Sequence, residues 1–246
     1  MDKINNNIPV ISVITVCFNN KDGLEKTLKS FAAQNFSQKE IIVVDGGSHD
    51  GTEKTIQRYK NIIDHFICES DNGIYDAINK GIRRASGKWV VCMNAGDIFA
   101  SDTVLSEILD RDIPGDKQFL YSDYAEIDGH GKITIKPSDR KKGLVFHQSA
   151  IYRRSLHDEY GYYTVTRPYT VSDLMFFLAV PERLYMKVDT VISLSDTSGI
   201  SRQGLWCARN ALCMRVVYGI ENMHIAYVKY WKYILTVILR KITRIK

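Results

Sequence analysis

Glu69-Ser70-Asp71-Asn72-Gly73-Ile74-Tyr75-Asp76-Ala77-Ile78-Asn79-Lys80-Gly81 leads into Trp89-Val90-Val91-Cys92-Met93-Asn94-Ala95-Gly96-Asp97. The first stretch reads as a polar turn and a short helix, the second as a buried strand with a carboxylate just past its end. In an open α/β sheet, the crevice outside the carboxyl ends of the strands is where ligands bind. The same alternation appears upstream. Residues 10–16 are rich in β-branched side chains and are predicted to form a buried strand, followed by a turn at Phe18 to Lys21. Asp22 then caps a helix, with Glu25 as its capping-box partner and Leu24, Leu28 and Phe31 on one face. Residues 41–44 are hydrophobic at every position, as a parallel strand covered on both faces requires, and they end in Asp45 before the turn at 46–52. A helix to about Tyr59 and a strand over 63–68 complete the series. Strands alternating with short helices indicate parallel βαβ units.

The pattern changes after Asp97. Ser101 or Asp102 caps a helix through Leu109. Residues 119–127 and 132–136 flank Asp128-Gly129-His130-Gly131, a strong hairpin signal. Residues 144–152 read as a strand, residues 171–178 as a helix start, and residues 184–194 as a further strand. There is no internal repeat and no long linker. The organisation expected is one α/β domain with a mixed, mainly parallel sheet over residues 1–204 and a helical extension over 205–246.

Composition narrows the class. With 246 residues, 45% hydrophobic and 25% charged, the chain has ample length for a sizeable core and an ordinary soluble balance. The net charge of +5 is unevenly placed. Lys229, Lys232, Arg240, Lys241, Arg244 and Lys246 close the chain with no acidic residue among them, so the body is near neutral and one end is basic. Cys17, Cys68, Cys92, Cys207 and Cys213 form no CxxC pair and no zinc spacing, which fits reduced thiols in a reducing compartment. The polar start, with Pro9 in the short apolar run behind it, is not a signal peptide, so the body is expected in the cytosol.

Known chemistries are then excluded by motif. No GxGxxG follows the first strand, no GxxxxGK[ST] occurs, and no nucleophile elbow is present. Asp45 and Asp97, each at a predicted strand end, suit hydrogen bonds to a base or ribose, or ligation of a hard divalent cation. The plainer alternative is that each caps the next helix.

Four segments in order, residues 13–19, 43–52, 69–81 and 85–97, resemble family 2 glycosyltransferases of the GT-A fold, particularly the bacterial branch that builds surface polysaccharides. The resemblance covers roughly residues 8–200 and implies an inverting transferase using a nucleotide-diphosphate sugar, a UDP-sugar by preference. It assigns Val16, Cys17, Asn19 and Asp45 to the base, and Asp71, Gly73 and Asn79 to the nucleotide and diphosphate. The family's acidic metal motif stands here as Asn94-Ala95-Gly96-Asp97. Asp97 then holds Mg²⁺ or Mn²⁺, while Asn94 and Ala95 border ribose or diphosphate. An inverting transferase needs a base for the acceptor hydroxyl. Asp173 matches its position, with Ser172 in place of the usual Glu. His147-Gln148 matches a pair of this branch, and His147 is assigned to the diphosphate, cation or acceptor. Gly199-Ile200-Ser201-Arg202 resembles a closing loop whose Arg202 neutralises the departing diphosphate. Read without the resemblance, Asp173 is an N-terminal helix carboxylate, His147 a core histidine and Arg202 a surface arginine.

The tail has another role. Val228, Trp231, Leu235, Ile238, Ile242 and Ile245 recur at helical spacing, interface-favouring aromatics accompany them, and the longest uncharged run is too short to span a bilayer. Residues 228–246 are therefore expected to lie on an anionic membrane surface, with an oligomerising or core-packing helix as the alternative. No nucleic-acid motif accompanies the charge. The sequence thus predicts an enzyme peripheral to the inner face of the cytoplasmic membrane. Its acceptor is a hydroxyl of a lipid-linked glycan, as in capsule, exopolysaccharide or O-antigen synthesis. The rival is a non-catalytic nucleotide-sugar-binding or assembly subunit, and a weaker third reading is a nucleotidyltransferase.

Overall fold

The computed structural model describes residues 8–165, 171–196 and 205–243. In chain order the first half comprises β1 (Ile11–Cys17), α1 (Lys21–Ala33), β2 (Lys39–Asp45), α2 (Thr52–Arg58), β3 (His65–Cys68), α3 (Ile74–Arg84), β4 (Trp89–Cys92), β5 (Ile98–Phe99) and α4 (Val104–Leu109). The second half comprises β6 (Phe119–Tyr121), β7 (Tyr124–Ile127), β8 (Ile133–Lys136), β9 (Ala150–Arg153), α5 (Leu156–Tyr160), α6 (Ser172–Ala179), β10 (Tyr185–Lys187), β11 (Ser193–Asp196), α7 (Leu205–Val217) and α8 (Met223–Thr243).

The larger sheet has strand order β10-β6-β9-β4-β1-β2-β3. All of its pairings are parallel except those of β9 with β4 and with β6. Because side chains alternate along a strand, β1 and β2 divide between two layers. Ile14, Val16, Ile42 and Val44 pack with α3 and α6, while Ile11, Val13, Ile41 and Val43 pack with α1, α2 and α4. Both faces are covered, which is why these strands are apolar throughout. A smaller four-stranded sheet, β5-β11-β7-β8, adjoins it, and the β7–β8 hairpin forms as its Asp128–Gly131 turn predicts.

Several expected elements form differently. Asn20, not Asp22, caps α1: its side chain accepts from the Gly23 amide, and Glu25 turns outward to Lys29 and Arg58. α4 begins after Thr103 rather than at Ser101 or Asp102. The run 119–127 breaks at Ser122-Asp123, where the chain leaves one sheet for the other and Asp123 takes the Ser138 amide and the Lys187 ammonium. The run 184–194 breaks in the same way into β10 and β11. Residues 147–149 form a 3-10 turn, closed by Ser149 N–H on the Phe146 carbonyl, instead of continuing a strand. Patterning sees only that a run is apolar; which sheet receives it is a tertiary choice.

α7 packs against α6 and α8. Along α8 the less exposed positions are Ala226, Tyr230, Ile234 and Val237. Val228, Trp231, Leu235 and Ile238 lie off that face, each about half exposed (47–56%). The stripe expected at those four positions is therefore open on the helix surface. Ile245 lies outside the described residues.

Candidate active site

Three parallel strand ends form one rim. Cys17 of β1, Asp45 of β2 and Cys68 of β3 stand in register, and the loops beyond them are bonded together. Asn19 adopts a left-handed conformation (φ 49°), one of the few side-chain-bearing residue types that does so readily. Its amide donates to Ser48 Oγ at 2.7 Å, and its side chain accepts from the His49 amide at 2.8 Å. Asp50 in turn accepts from the Lys21 amide. Asp45 is buried, with its carboxylate fastened by the Ser48 amide and hydroxyl and approached by the Cys68 thiol. It therefore orders its own turn rather than capping α2, whose cap position is Gly51.

Asp71 reaches this rim because residue 46 is glycine. A Cβ at Gly46 would stand 2.4 Å from Asp71 Oδ2, so any side chain there would push the carboxylate aside. Asp71 Oδ1 accepts from Gly73 N–H at 2.7 Å, which orders the turn into α3. Val16 and Cys17, assigned to the base by the resemblance, bring only their backbone near this rim. Their side chains lie in the two core layers, and their carbonyls accept from Ala95 and Gly46 amides. Burial also raises the Cys17 thiol pKa. The rim residue missed from sequence is Phe18, 63% exposed beside Gly46. An aromatic residue directly after a buried strand and before Asn-Asn was its only signal.

The turn Asn94–Asp97 closes the neighbouring edge. Asn94 N–H donates to Asp97 Oδ2 at 3.1 Å, and Asp97 N–H returns to the Asn94 carbonyl at 2.8 Å. Gly96 supplies the positive φ of 112° that this reversal needs. The Thr27 hydroxyl bonds the Asp97 carbonyl, and Asn20 Nδ2 bonds the Ala95 carbonyl, tying the turn to α1. Asn94 Oδ1 is buried without a hydrogen-bond partner, an acceptor left open three residues from the Asp97 carboxylate. Two oxygen donors in one turn fit a hard cation. Among the described residues no cluster of three or more His, Cys, Asp or Glu suits a metal.

The opposite wall is aromatic and acidic. Asp173 lies in the first turn of α6, partly exposed, and accepts from Tyr75 Oη at 2.8 Å. His147 is buried behind it in the 3-10 turn. Its Nε2 lies 3.2 Å from Tyr163 Oη, which meets Tyr152 Oη at 2.7 Å, and Tyr152 meets His157 Nε2 at 3.2 Å. Burial holds the His147 pKa below the usual imidazole range despite the pull of Asp173, and burial takes His157 down to about 4. Both rings are thus neutral at pH 7. Asn79 also departs from its expected place at the nucleotide. It is buried, and its amide clips the Tyr163 backbone at both ends, at 2.8 and 3.0 Å. The Gln148 carbonyl is held by Ser193 Oγ. Arg202 lies outside the described residues.

The comparisons agree with this architecture. A family model described as Glycosyl transferase family 2 matches residues 12–174. An uncharacterised glycosyltransferase of Mycobacterium tuberculosis is 29% identical over 216 residues, covering 78% of this chain and 77% of its own. The poly-beta-1,6-N-acetyl-D-glucosamine synthase of Staphylococcus epidermidis is 31% identical over 137 residues, covering 55% of this chain and 30% of the synthase. Among solved structures, residues 1–349 of Staphylococcus aureus TarS with UDP-GlcNAc superpose at a TM-score of 0.69 with 16% identity, covering 83% of this chain and 66% of that one. The Pyrobaculum calidifontis mannosyltransferase with GDP-Man and Mn²⁺ gives 0.67 with 14% identity, covering 91% and 69%. At these identities the structural likeness speaks for the fold.

Proposed function

This chain belongs to glycosyltransferase family 2 and has the GT-A fold, and on that premise we propose that it is an inverting transferase acting on a UDP-sugar. Its acceptor in this reading is a hydroxyl of a lipid-linked glycan in bacterial surface-polysaccharide synthesis. The observation that carries the proposal is the bond between Tyr75 and Asp173, which joins the Asp71–Gly73 turn to a carboxylate 98 residues away. Asn19, Asp45 and Asp71 form the nucleotide side, with the Phe18 ring available to stack on the base. Asp173 faces the acceptor and takes the proton of its hydroxyl. The acceptor oxygen then bonds the anomeric carbon as the carbon–oxygen bond to the diphosphate breaks and its electron pair leaves with UDP. His147, neutral and buried, backs the acceptor wall instead of serving as a second acid. Asp97 and Asn94 Oδ1 would hold Mg²⁺ or Mn²⁺ brought with the donor, and that cation supplies charge neutralisation for the leaving diphosphate. Arg202 is assigned to the same diphosphate on the resemblance of its loop. The relatives named for polysaccharide synthesis and the neighbours holding UDP-GlcNAc or GDP-Man support the donor class.

The proposal includes residues 205–246 as a separate membrane-surface unit on the inner face of the cytoplasmic membrane. No described helix is long and apolar enough to cross a membrane. The open stripe of α8 and the basic chain end support a helix lying in the interface.

A second reading, a binding subunit without transfer, draws on Asp97 being the one acidic side chain of its turn. Nucleoside diphosphate release from a panel of UDP- and GDP-sugars, with and without Mn²⁺, separates the two. Cation-dependent release that D173N lowers by about a hundredfold, with UDP affinity kept, is the outcome expected. Donor binding with neither turnover nor cation dependence supports the binding subunit.

A further inference from the structure

α3 touches both halves of the site. It starts directly after the Asp71–Gly73 turn, where Asn72 N–H bonds Asp76 Oδ2 and Gly73 N–H bonds Asp71 Oδ1. One helical turn apart on its buried face stand Tyr75 and Asn79. Asn79 clips the Tyr163 backbone, and the Tyr75 ring packs against the Tyr163 ring with centroids 5.6 Å apart. The Tyr75 hydroxyl is therefore presented by a clamped ring with few torsions of its own.

We propose that Tyr75 is a positioning residue for transfer, fixing the orientation of the Asp173 carboxylate; this rests on Asp173 being the base. The bond engages Oδ1, and in this reading Oδ2 is the oxygen that meets the acceptor hydroxyl. The donated bond fixes the rotation of the carboxylate about its own axis, so that its second oxygen has one direction in which to meet a hydroxyl. Tyr75 keeps its proton throughout, since burial and then Asp173 itself raise its pKa well above the phenol range. Among the described residues, Cys92, His147, Tyr152 and Tyr163 also lie within electrostatic reach of Asp173. Burial raises the thiol and phenols and lowers the imidazole, leaving all four neutral near pH 7. Tyr75 is the direct donor to Asp173 among these groups. A nucleotide seated at Asp71 is thereby placed in register with the base through a single helix.

Y75F, D173N and the double variant test this on whichever nucleotide sugar of the panel is turned over. Release of the nucleoside diphosphate is followed over a range of donor concentrations, and UDP binding is followed by calorimetry. Y75F is expected to lower kcat about tenfold while leaving the donor KM and UDP affinity unchanged. In the D173N background the Y75F change should cost nothing further. A packing role alone would disturb donor KM along with kcat and would persist without the carboxylate, so an unchanged kcat, or a donor KM that rises as kcat falls, overturns the proposal. An equal loss on the D173N background, or a Y75F protein that no longer binds UDP, overturns it too while the base assignment stands. Wild-type release by D173N overturns the base assignment itself, and the proposal with it.

Discussion

Gly46 shows how one missing methyl group shapes the donor side. The carboxylate of Asp71 occupies the space a Cβ would take, and it is the flexible end of a side chain, so it would yield where a backbone atom would not. G46A should therefore leave the melting temperature nearly unchanged and weaken UDP binding by about 1–2 kcal/mol, read by calorimetry. Undiminished affinity would remove Asp71 from the nucleotide side. Residue identity alone left such roles ambiguous. Asp45 and Asp97 are legible from their strand-end places and Asp71 from the family resemblance, and Asp71 meets the Asp45 rim across Gly46. Asn79, in the same motif, turns inward because its position on α3 faces the core. Phe18 turns outward although it is apolar, because the strand has ended at Cys17.

Elements are held together by a polar knot away from the site. Glu40, buried near the start of β2, accepts through Oε1 from Ser12 Oγ of β1 and from the Ser86 and Gly87 amides before β4. Burial pushes its carboxyl up, but the bonds from Ser12, Ser86 and Gly87 outweigh this and hold its pKa below the usual glutamate value. A depressed acid stabilises the fold above its unfolded pKa, and that contribution is lost as pH falls through the folded value. E40Q should cost about 1.5–3 kcal/mol at pH 7, and the gap to wild type should close as pH drops below about 4.5. Urea unfolding at several pH values measures both. A difference independent of pH would mean that shape, not charge, is what Glu40 supplies. Helix and strand periods were readable for most of the first hundred residues, where propensity, burial and turn chemistry agree. They misled at 119–127, 144–152 and 184–194, because an apolar run has the same pattern whether it stays in one sheet or crosses to another.

At the scale of the molecule, the chain joins a two-layered catalytic body to a helical pair with an open apolar stripe. W231E/L235E should abolish sedimentation with phosphatidylglycerol vesicles, since each half-exposed apolar side chain contributes up to about 1.5–3 kcal/mol when buried in the interface. UDP binding should be unaffected, and phosphatidylcholine vesicles should capture even the wild type weakly. Equal capture by both lipids would argue against the basic end as a contributor, and loss of a dimer in the variant would favour a protein partner on that face.

Sequence by itself determined the α/β class, the strand-end carboxylates, the α8 stripe and the family, because each is written in local periodicity or in motifs of contiguous residues. Only the tertiary structure decided that Tyr75 reaches Asp173, that Asn79 braces Tyr163, and that Gly46 makes room for Asp71. Those contacts join residues far apart in the chain, whose distances depend on how helices pack across a sheet, and no local pattern records that packing.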